Sequence, residues 1–161
     1  MRAIIAIDPG ITGALAFVTE KSLYRVRDMP TALTANGKSI VDEYRLLEMV
    51  RQYEALGARH AILERAQAAP GQSAPAMFNY GTTYGLIRMA LTASGVSYDE
   101  VSPMTWKRWA KLAGGRENKD ASRRLAASLF PDKAHEFLRA KDHGRAEASI
   151  IGRWWFETKG T

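Results

Sequence analysis

The sequence predicts an α/β domain in which helices cover a central sheet. Two apolar runs, at residues 3–7 and 61–63, are each followed by a carboxylate, and an unbroken apolar run is typical of a strand covered on both faces. Between them, residues 39–56 carry apolar side chains at helical spacing, which predicts an amphipathic helix packed on the sheet. We expect one domain, residues 1–161.

The first strand, residues 3–8, is predicted to lie at the centre of the sheet, with Asp8 at its carboxyl end. A Pro-Gly turn follows, and residues 13–18 return as a second strand beside the first. Residues 23–29 alternate apolar and polar side chains and complete a three-stranded meander with an edge strand. The small residues of the turn leave room for a phosphate or a metal ion next to Asp8.

The next segments are a loop at residues 30–38, the helix at 39–56 and a fourth strand at 60–64. The fourth strand again ends in an acid before a loop. If it lies parallel to the first strand and beside it, Asp8 and Glu64 meet at the carboxyl edge of the sheet, where open α/β sheets bind ligands. Two carboxylates so placed repel each other unless they are protonated or bridged by a cation.

Residues 66–76 are small and uncharged and predict a mobile loop that is able to close over a substrate. A helix over 77–94 follows, and its Gly81 and Gly85 lie on one face, which permits close approach of a strand or of a second subunit. The aromatic residues of this helix are interpreted as core residues rather than base-stacking ones: Phe78, Tyr80 and Tyr84.

Residues 96–101 predict a fifth strand, and Ser102-Pro103 begins the helix that follows it. From there to residue 124 the chain has seven basic and two acidic residues, with tryptophans between them and a helix break at Gly114-Gly115. This pattern fits a track along a nucleic-acid backbone, the alternative being a solvated helical face. The candidate DNA-binding residues are Lys107, Arg108, Lys111, Arg116, Lys119, Arg123 and Arg124.

The last predicted helix places His143, Glu147 and Trp154 on one face. That face also carries isoleucines and is therefore the buried one, so a glutamate at its boundary needs a metal ion or a basic side chain as a partner. Asp142 stands at the start of the helix, where an N-cap role competes with a role in the site.

Composition narrows the function classes further. The absence of cysteine excludes a disulfide framework and a thiolate zinc site. No apolar run approaches the roughly 20 residues that cross a bilayer, so we expect a soluble cytoplasmic protein with no membrane partner. The net charge of +6 and the pI near 9.7 favour a polyanionic partner.

Three motifs in order, I-D-P-G at Asp8, L-E-R-A at Glu64 and K-D-H-G-R-A-E-A at residues 141–148, resemble those of the RuvC-type Holliday junction resolvases, and most closely the short bacteriophage members. The resemblance covers essentially the whole chain. It implies a ribonuclease H-like fold with a five-stranded mixed sheet flanked by helices, a homodimer acting on four-way DNA junctions, and two Mg²⁺ ions for which Mn²⁺ substitutes. It also implies the cytoplasm of a bacterial or phage-infected bacterial cell.

Residue by residue, Asp8 matches the first-strand aspartate of that family, Glu64 the fourth-strand glutamate and Glu147 the final-helix acid. The family usually has its other final-helix ligand three residues before that acid, where this chain has Gly144. The fourth ligand is therefore left open between two neighbouring residues. His143 is favoured because it lies four residues before Glu147, on the same helical face. Asp142 is favoured because a hard ion prefers an oxygen ligand.

The resemblance further implies a two-metal mechanism. Two Mg²⁺ ions about 3.5–4 Å apart would activate a water for in-line attack on a phosphodiester and leave a 5′-phosphate and a 3′-hydroxyl. Asp8 would bridge the ions, Glu64 and Glu147 would each hold one, and Lys107 or Lys119 would offset the developing charge.

Two other functions are compatible with these residues. One is a module that binds branched nucleic acid without cutting it, and the other is an actin-like nucleotide-binding domain suggested by the D-P-G-I-T-G loop.

Overall fold

The computed structural model describes residues 2–67, 71–112 and 118–159. The strands in this part are β1 (Ala3–Asp8), β2 (Ala14–Thr19), β3 (Leu23–Asp28), β4 (Thr31–Leu33), β5 (Ser39–Val41), β6 (His60–Glu64) and β7 (Ser97–Val101). The α-helices are α1 (Glu43–Ala55), α2 (Ala74–Ala93), α3 (Pro103–Trp109), α4 (Asn118–Leu129) and α5 (His143–Thr158). Two 3₁₀ segments, Pro131–Phe137 and Ala140–Asp142, connect α4 to α5.

The main sheet has five strands in the order β3-β2-β1-β6-β7. The first three strands form the antiparallel meander, and β6 and β7 continue parallel to β1. The predicted five-stranded mixed sheet with β1 at its centre is therefore confirmed.

Helices cover both faces of this sheet, which explains the unbroken apolar run in β1. Its even-numbered residues Ile4 and Ala6 face a core built with α3, α4 and α5. Its odd-numbered residues Ile5 and Ile7 face a second core built with α1 and α2. Side chains of a strand point alternately to the two faces, so both faces of β1 have to be apolar. No described helix is long and apolar enough to cross a membrane.

Two glycines let α5 lie close to the sheet. A Cβ built on Gly152 would be 2.5 Å from Val18 Cγ2, and one built on Gly144 would be 2.3 Å from the backbone oxygen of Thr12. Real side chains do not pack at such distances. The helix is therefore fixed against β2 and the turn after β1, and this fixes the position of every side chain it carries toward the sheet edge.

The structure corrects the prediction between β3 and α1. Residues 30–38 are not only a loop, because β4 and β5 pair as a small antiparallel hairpin around a turn in which Gly37 has φ +77°. Helix α1 accordingly begins at Glu43 and not at residue 39. Asp42 caps it, its side chain accepting a hydrogen bond from the Arg45 backbone N–H at 3.0 Å.

Helix α2 is longer than predicted at its start. It begins at Ala74 because Ser73 supplies the N-cap and Pro75 stands in the first turn. The predicted loop at 66–76 is correspondingly shorter, and its residues 68–70 lie outside the described part of the chain. The helix break predicted at Gly114-Gly115 lies outside it as well.

Candidate active site

Asp8 and Glu64 lie side by side at the carboxyl edge of the sheet, as the sequence predicted. Strands β1 and β6 are parallel neighbours, with Ile7 paired to Leu63 in the register, so each carboxylate is the last residue of its own strand. Glu147 reaches the same edge from α5, one turn after His143. Its charge acts on both of the other carboxylates.

Burial and mutual repulsion dominate the electrostatics of this cluster. Asp8 is partly exposed, yet the surrounding protein removes much of its hydration, and this raises its pKa well above the ordinary value. The charges of Glu147 and then Glu64 raise the pKa of Asp8 further, against a smaller lowering by Lys107. Burial also raises the pKa of Glu64. The cluster is short of positive charge, and this favours binding of a cation.

Helix α3 supplies a partner to two of the three carboxylates. The indole Nε1–H of Trp106 donates to Glu64 Oε2 at 2.6 Å, and Lys107 Nζ lies 3.6 Å from Glu147 Oε2. The hydroxyl of Ser122 donates to Glu147 Oε1 at 3.4 Å. Neither Trp106 nor Ser122 was predicted to be a member of the site. The only available signal was a tryptophan beside a candidate site lysine.

Asp142 belongs to a different network. It is 1% exposed, and its carboxylate accepts hydrogen bonds from the Arg139 backbone N–H at 2.7 Å and from Arg139 Nη2 at 2.8 Å. Burial alone would raise the pKa of Asp142, but the hydrogen bonds and charge of Arg139, with a contribution from Arg145, hold it below the ordinary value. The side chain also makes no N-cap hydrogen bond to α5. Asp142 therefore closes the turn that precedes α5.

His143 occupies the first turn of α5, on the side that Glu147 continues. The residue is half-buried, and its buried Nδ1 has no hydrogen-bond partner within the described residues. A buried ring nitrogen without a partner is unusual in a folded protein. Of the two candidates for the fourth ligand, His143 is therefore the one with a free donor atom.

The basic residues around the site divide into two groups. Arg108, Lys111, Lys119 and Arg124 are exposed on α3, on the segment after it and on α4. Arg123 differs from the prediction, because its guanidinium donates to the backbone oxygens of Phe137 and Leu138 and pairs with Asp120. It joins α4 to the following 3₁₀ segment. Arg116 lies outside the described residues.

The aromatic residues of α2 do not all belong to the core. Phe78 is 76% exposed, so its interpretation as a core residue was wrong. The Tyr80 ring lies against Gly10, where a Cβ would be 3.6 Å from it. Burial, together with the charges of Asp8 and Glu64, raises the pKa of Tyr80 to about 12. Tyr80 therefore places an uncharged side chain next to the acidic cluster.

The donors of the cluster suit a hard divalent cation. Carboxylate oxygens are the ligands that Mg²⁺ and Mn²⁺ prefer, and Asp8, Glu64 and Glu147 supply them where positive charge is lacking. Within residues 2–67, 71–112 and 118–159, however, no group of three or more His, Asp or Glu side chains is arranged as a finished metal site. A bound cation would have to draw the side chains together against their mutual repulsion.

In structure, the chain is similar to Holliday junction resolvases. Thermus thermophilus RuvC in complex with a Holliday junction substrate aligns with a TM-score of 0.63 at 17% identity, covering 99% of this chain and 96% of that one. A second T. thermophilus RuvC structure gives 0.60 at 19% identity, covering 94% and 92%. The Fowlpox virus resolvase in complex with Holliday junction DNA gives 0.51 at 14% identity, covering 97% of each chain.

In sequence, the "Holliday junction resolvase MOC1, chloroplastic" of Chlamydomonas reinhardtii is 32% identical over 162 aligned residues. The match covers 80% of this chain, which spans 17% of that relative's length. No protein-family model matches the chain. Together, the strand order and the structural similarity confirm what the three motifs predicted: the chain has the ribonuclease H-like fold of the RuvC-type resolvases.

Proposed function

We propose that this protein is a metal-dependent endonuclease that cuts four-way or other branched DNA. The observation that carries the proposal is the acidic cluster of Asp8, Glu64 and Glu147 at the sheet edge, where burial and repulsion raise the pKa of the first two. Exposed basic residues lie on the helices beside it. The similar proteins support the substrate class, because they are resolvases and two of the solved structures contain Holliday junction DNA.

In this proposal Asp8, Glu64 and Glu147 hold divalent cations, Mg²⁺ or Mn²⁺, with His143 as the fourth ligand. Bound there, the cations would lower the pKa of a coordinated water and neutralise charge on the phosphate. The carboxylates are already partly desolvated, so they lose little hydration when they bind. Neutral Tyr80 adds no further negative charge beside them.

The chain's own residues then orient the phosphodiester for hydrolysis. Lys107 stands beside Glu147, where its ammonium would offset the charge that develops on the attacked phosphate. Breakage of the bond from phosphorus to the 3′ oxygen would leave a 5′-phosphate and a 3′-hydroxyl. We assign binding of the DNA phosphate backbone to Arg108, Lys111, Lys119 and Arg124. The proposal includes Arg116 because of its position in the same basic segment of the sequence.

Cleavage of a synthetic four-way junction tests the proposal. End-labelled junction, linear duplex and flap are incubated with the protein in Mg²⁺, in Mn²⁺ and in EDTA. We expect paired, symmetric nicks in the junction with either metal and none in EDTA. Equal cutting of the flap would broaden the substrate class to branched DNA in general. Binding without cutting in any metal would contradict the nuclease and leave a binding module.

Symmetric nicking of a junction needs two active sites, so we also propose a twofold homodimer. Its candidate interface is the exposed face of α2, where Gly81 and Gly85 have open space above them and Phe78 and Met89 are exposed. Small residues between large apolar ones allow a second helix to approach closely.

Replacing Gly85 by Trp should block that approach without disturbing the core of one protomer, because a Cβ there meets nothing within 4 Å. We expect the mass in solution, measured by light scattering, to fall from a dimer to a monomer. Arg51→Trp on the exposed face of α1 is the matched control and should stay dimeric. A Gly85→Trp protein that remains a dimer would rule out this interface.

A further inference from the structure

We propose that Trp106 is a positioning residue, which holds the Glu64 carboxylate and the Lys107 ammonium in their places in the site. The inference rests on the proposed nuclease function and deepens it. Trp106 touches neither the phosphate nor a cation in this proposal. It acts only through the two side chains that do.

The first contact fixes the orientation of Glu64. Trp106 is completely buried, and its Nε1–H donates to Glu64 Oε2 at 2.6 Å. An indole N–H is a donor only, so burial of the ring obliges it to find an acceptor. A hydrogen bond to a charged oxygen is strong. It engages Oε2 and leaves Oε1, the second oxygen of Glu64, without a hydrogen bond from the described residues.

The second contact involves the face of the same ring. Lys107 Nζ lies 5.0 Å from the centroid of the Trp106 ring and 3.6 Å from Glu147 Oε2. The ammonium is therefore held between an aromatic face and a carboxylate, both of which attract it. Trp106 and Lys107 are consecutive residues of α3, whose start is fixed by the Ser102 hydroxyl accepting from the Thr105 backbone N–H at 3.2 Å. One short helix thus sets the positions of two groups in the site.

Trp106→Phe tests the first contact, because it keeps an aromatic ring in the core and removes the N–H donor. We expect the affinity of the metal-free protein for Mn²⁺, measured by electron paramagnetic resonance titration, to fall at least about 10-fold. The single-turnover cleavage rate of a junction should fall with it, while the Kd for the junction in EDTA stays unchanged. Trp109→Phe, on the same helix and packed against the same core, should retain the parent values.

Two further variants separate positioning from packing. Trp106→His loses ring volume but can keep an N–H at the position of the indole nitrogen, so it should bind Mn²⁺ more tightly than Trp106→Phe. In a Glu64→Ala background, which leaves no side-chain acceptor for the indole, Trp106→Phe should cause no further loss, because its effect passes through that carboxylate. Parent affinity in Trp106→Phe, or an equal loss in both backgrounds, would overturn the inference while the nuclease function stands. A parent protein that neither binds Mn²⁺ nor cuts a junction would overturn both.

Discussion

Replacing Asp8 by Asn should abolish junction cleavage and, at the same time, stabilise the metal-free protein. We expect the cleavage rate to fall about 10³-fold or more, because the variant loses the central carboxylate of the cluster. In EDTA at neutral pH, Tm should rise by about 2–4 °C, since the amide removes a charge that burial, Glu147 and Glu64 all disfavour.

The stability of the metal-free protein should also depend on pH through Asp8. The pKa of Asp8 is raised in the folded state, so its contribution to stability is fully present below the unfolded pKa and is lost as pH rises through the folded pKa. Metal-free parent protein should therefore lose stability over that interval, and Asp8→Asn should lose less. Glu48→Gln, at an exposed position of α1, is the matched control and should change neither cleavage nor this pH dependence. A Tm in EDTA equal to or below that of the parent would contradict the electrostatic account.

Placing an aspartate at Gly144, where the resemblance puts the usual second ligand of the final helix, should not improve the site. The ideal Cβ would be 2.3 Å from the Thr12 backbone oxygen and 3.0 Å from Gly13 Cα. These are backbone atoms, which cannot rotate away as a side chain can. We expect Gly144→Asp to lower the free energy of unfolding by roughly 3 kcal/mol or more, through overpacking and a buried charge.

Urea unfolding of Gly144→Asp and Gly144→Ala measures this effect, and both variants should be destabilised. Ser128→Ala is the control, since Ser128 is also helical but is exposed on α4. It should be as stable as the parent or slightly more stable. A Gly144→Asp protein that unfolds with the parent midpoint and binds Mn²⁺ more tightly would show that α5 can shift to admit the ligand.

The main sheet was predictable from the sequence because its central strands are strongly apolar. Strands β1 and β6 are covered by helices on both faces, so nearly all of their side chains are apolar. The hairpin of β4 and β5 was missed because strands of three residues are too short to show an alternating pattern. The start of α1 was predicted too early for a related reason. The apolar residues of β5 continue the helical spacing of α1, so the sequence pattern does not separate the short strand from the helix.

The site residues that stand at the ends of strands were predictable from the sequence. The residues that reach the site through long-range tertiary contacts were not. Asp8 and Glu64 are the last residues of neighbouring parallel strands, and the topology of the sheet brings such positions together. The contact of Trp106 with Glu64 joins residues 42 apart in the sequence and depends on how α3 packs. The hydrogen bond from Arg123 to a backbone oxygen could not be predicted from the sequence either. An arginine in a basic segment has the same sequence pattern whether its side chain faces solvent or a backbone oxygen.

The three carboxylates stand on the first strand, on a strand in the middle of the sequence and on the last helix. During synthesis Asp8 and Glu64 leave the ribosome long before Glu147 does. Until α5 follows, one face of β1 and β2 also lacks its cover. A chain interrupted before that helix would accordingly lack both a finished core and a finished site, so incomplete translation products should be targets for proteolysis rather than sources of DNA damage.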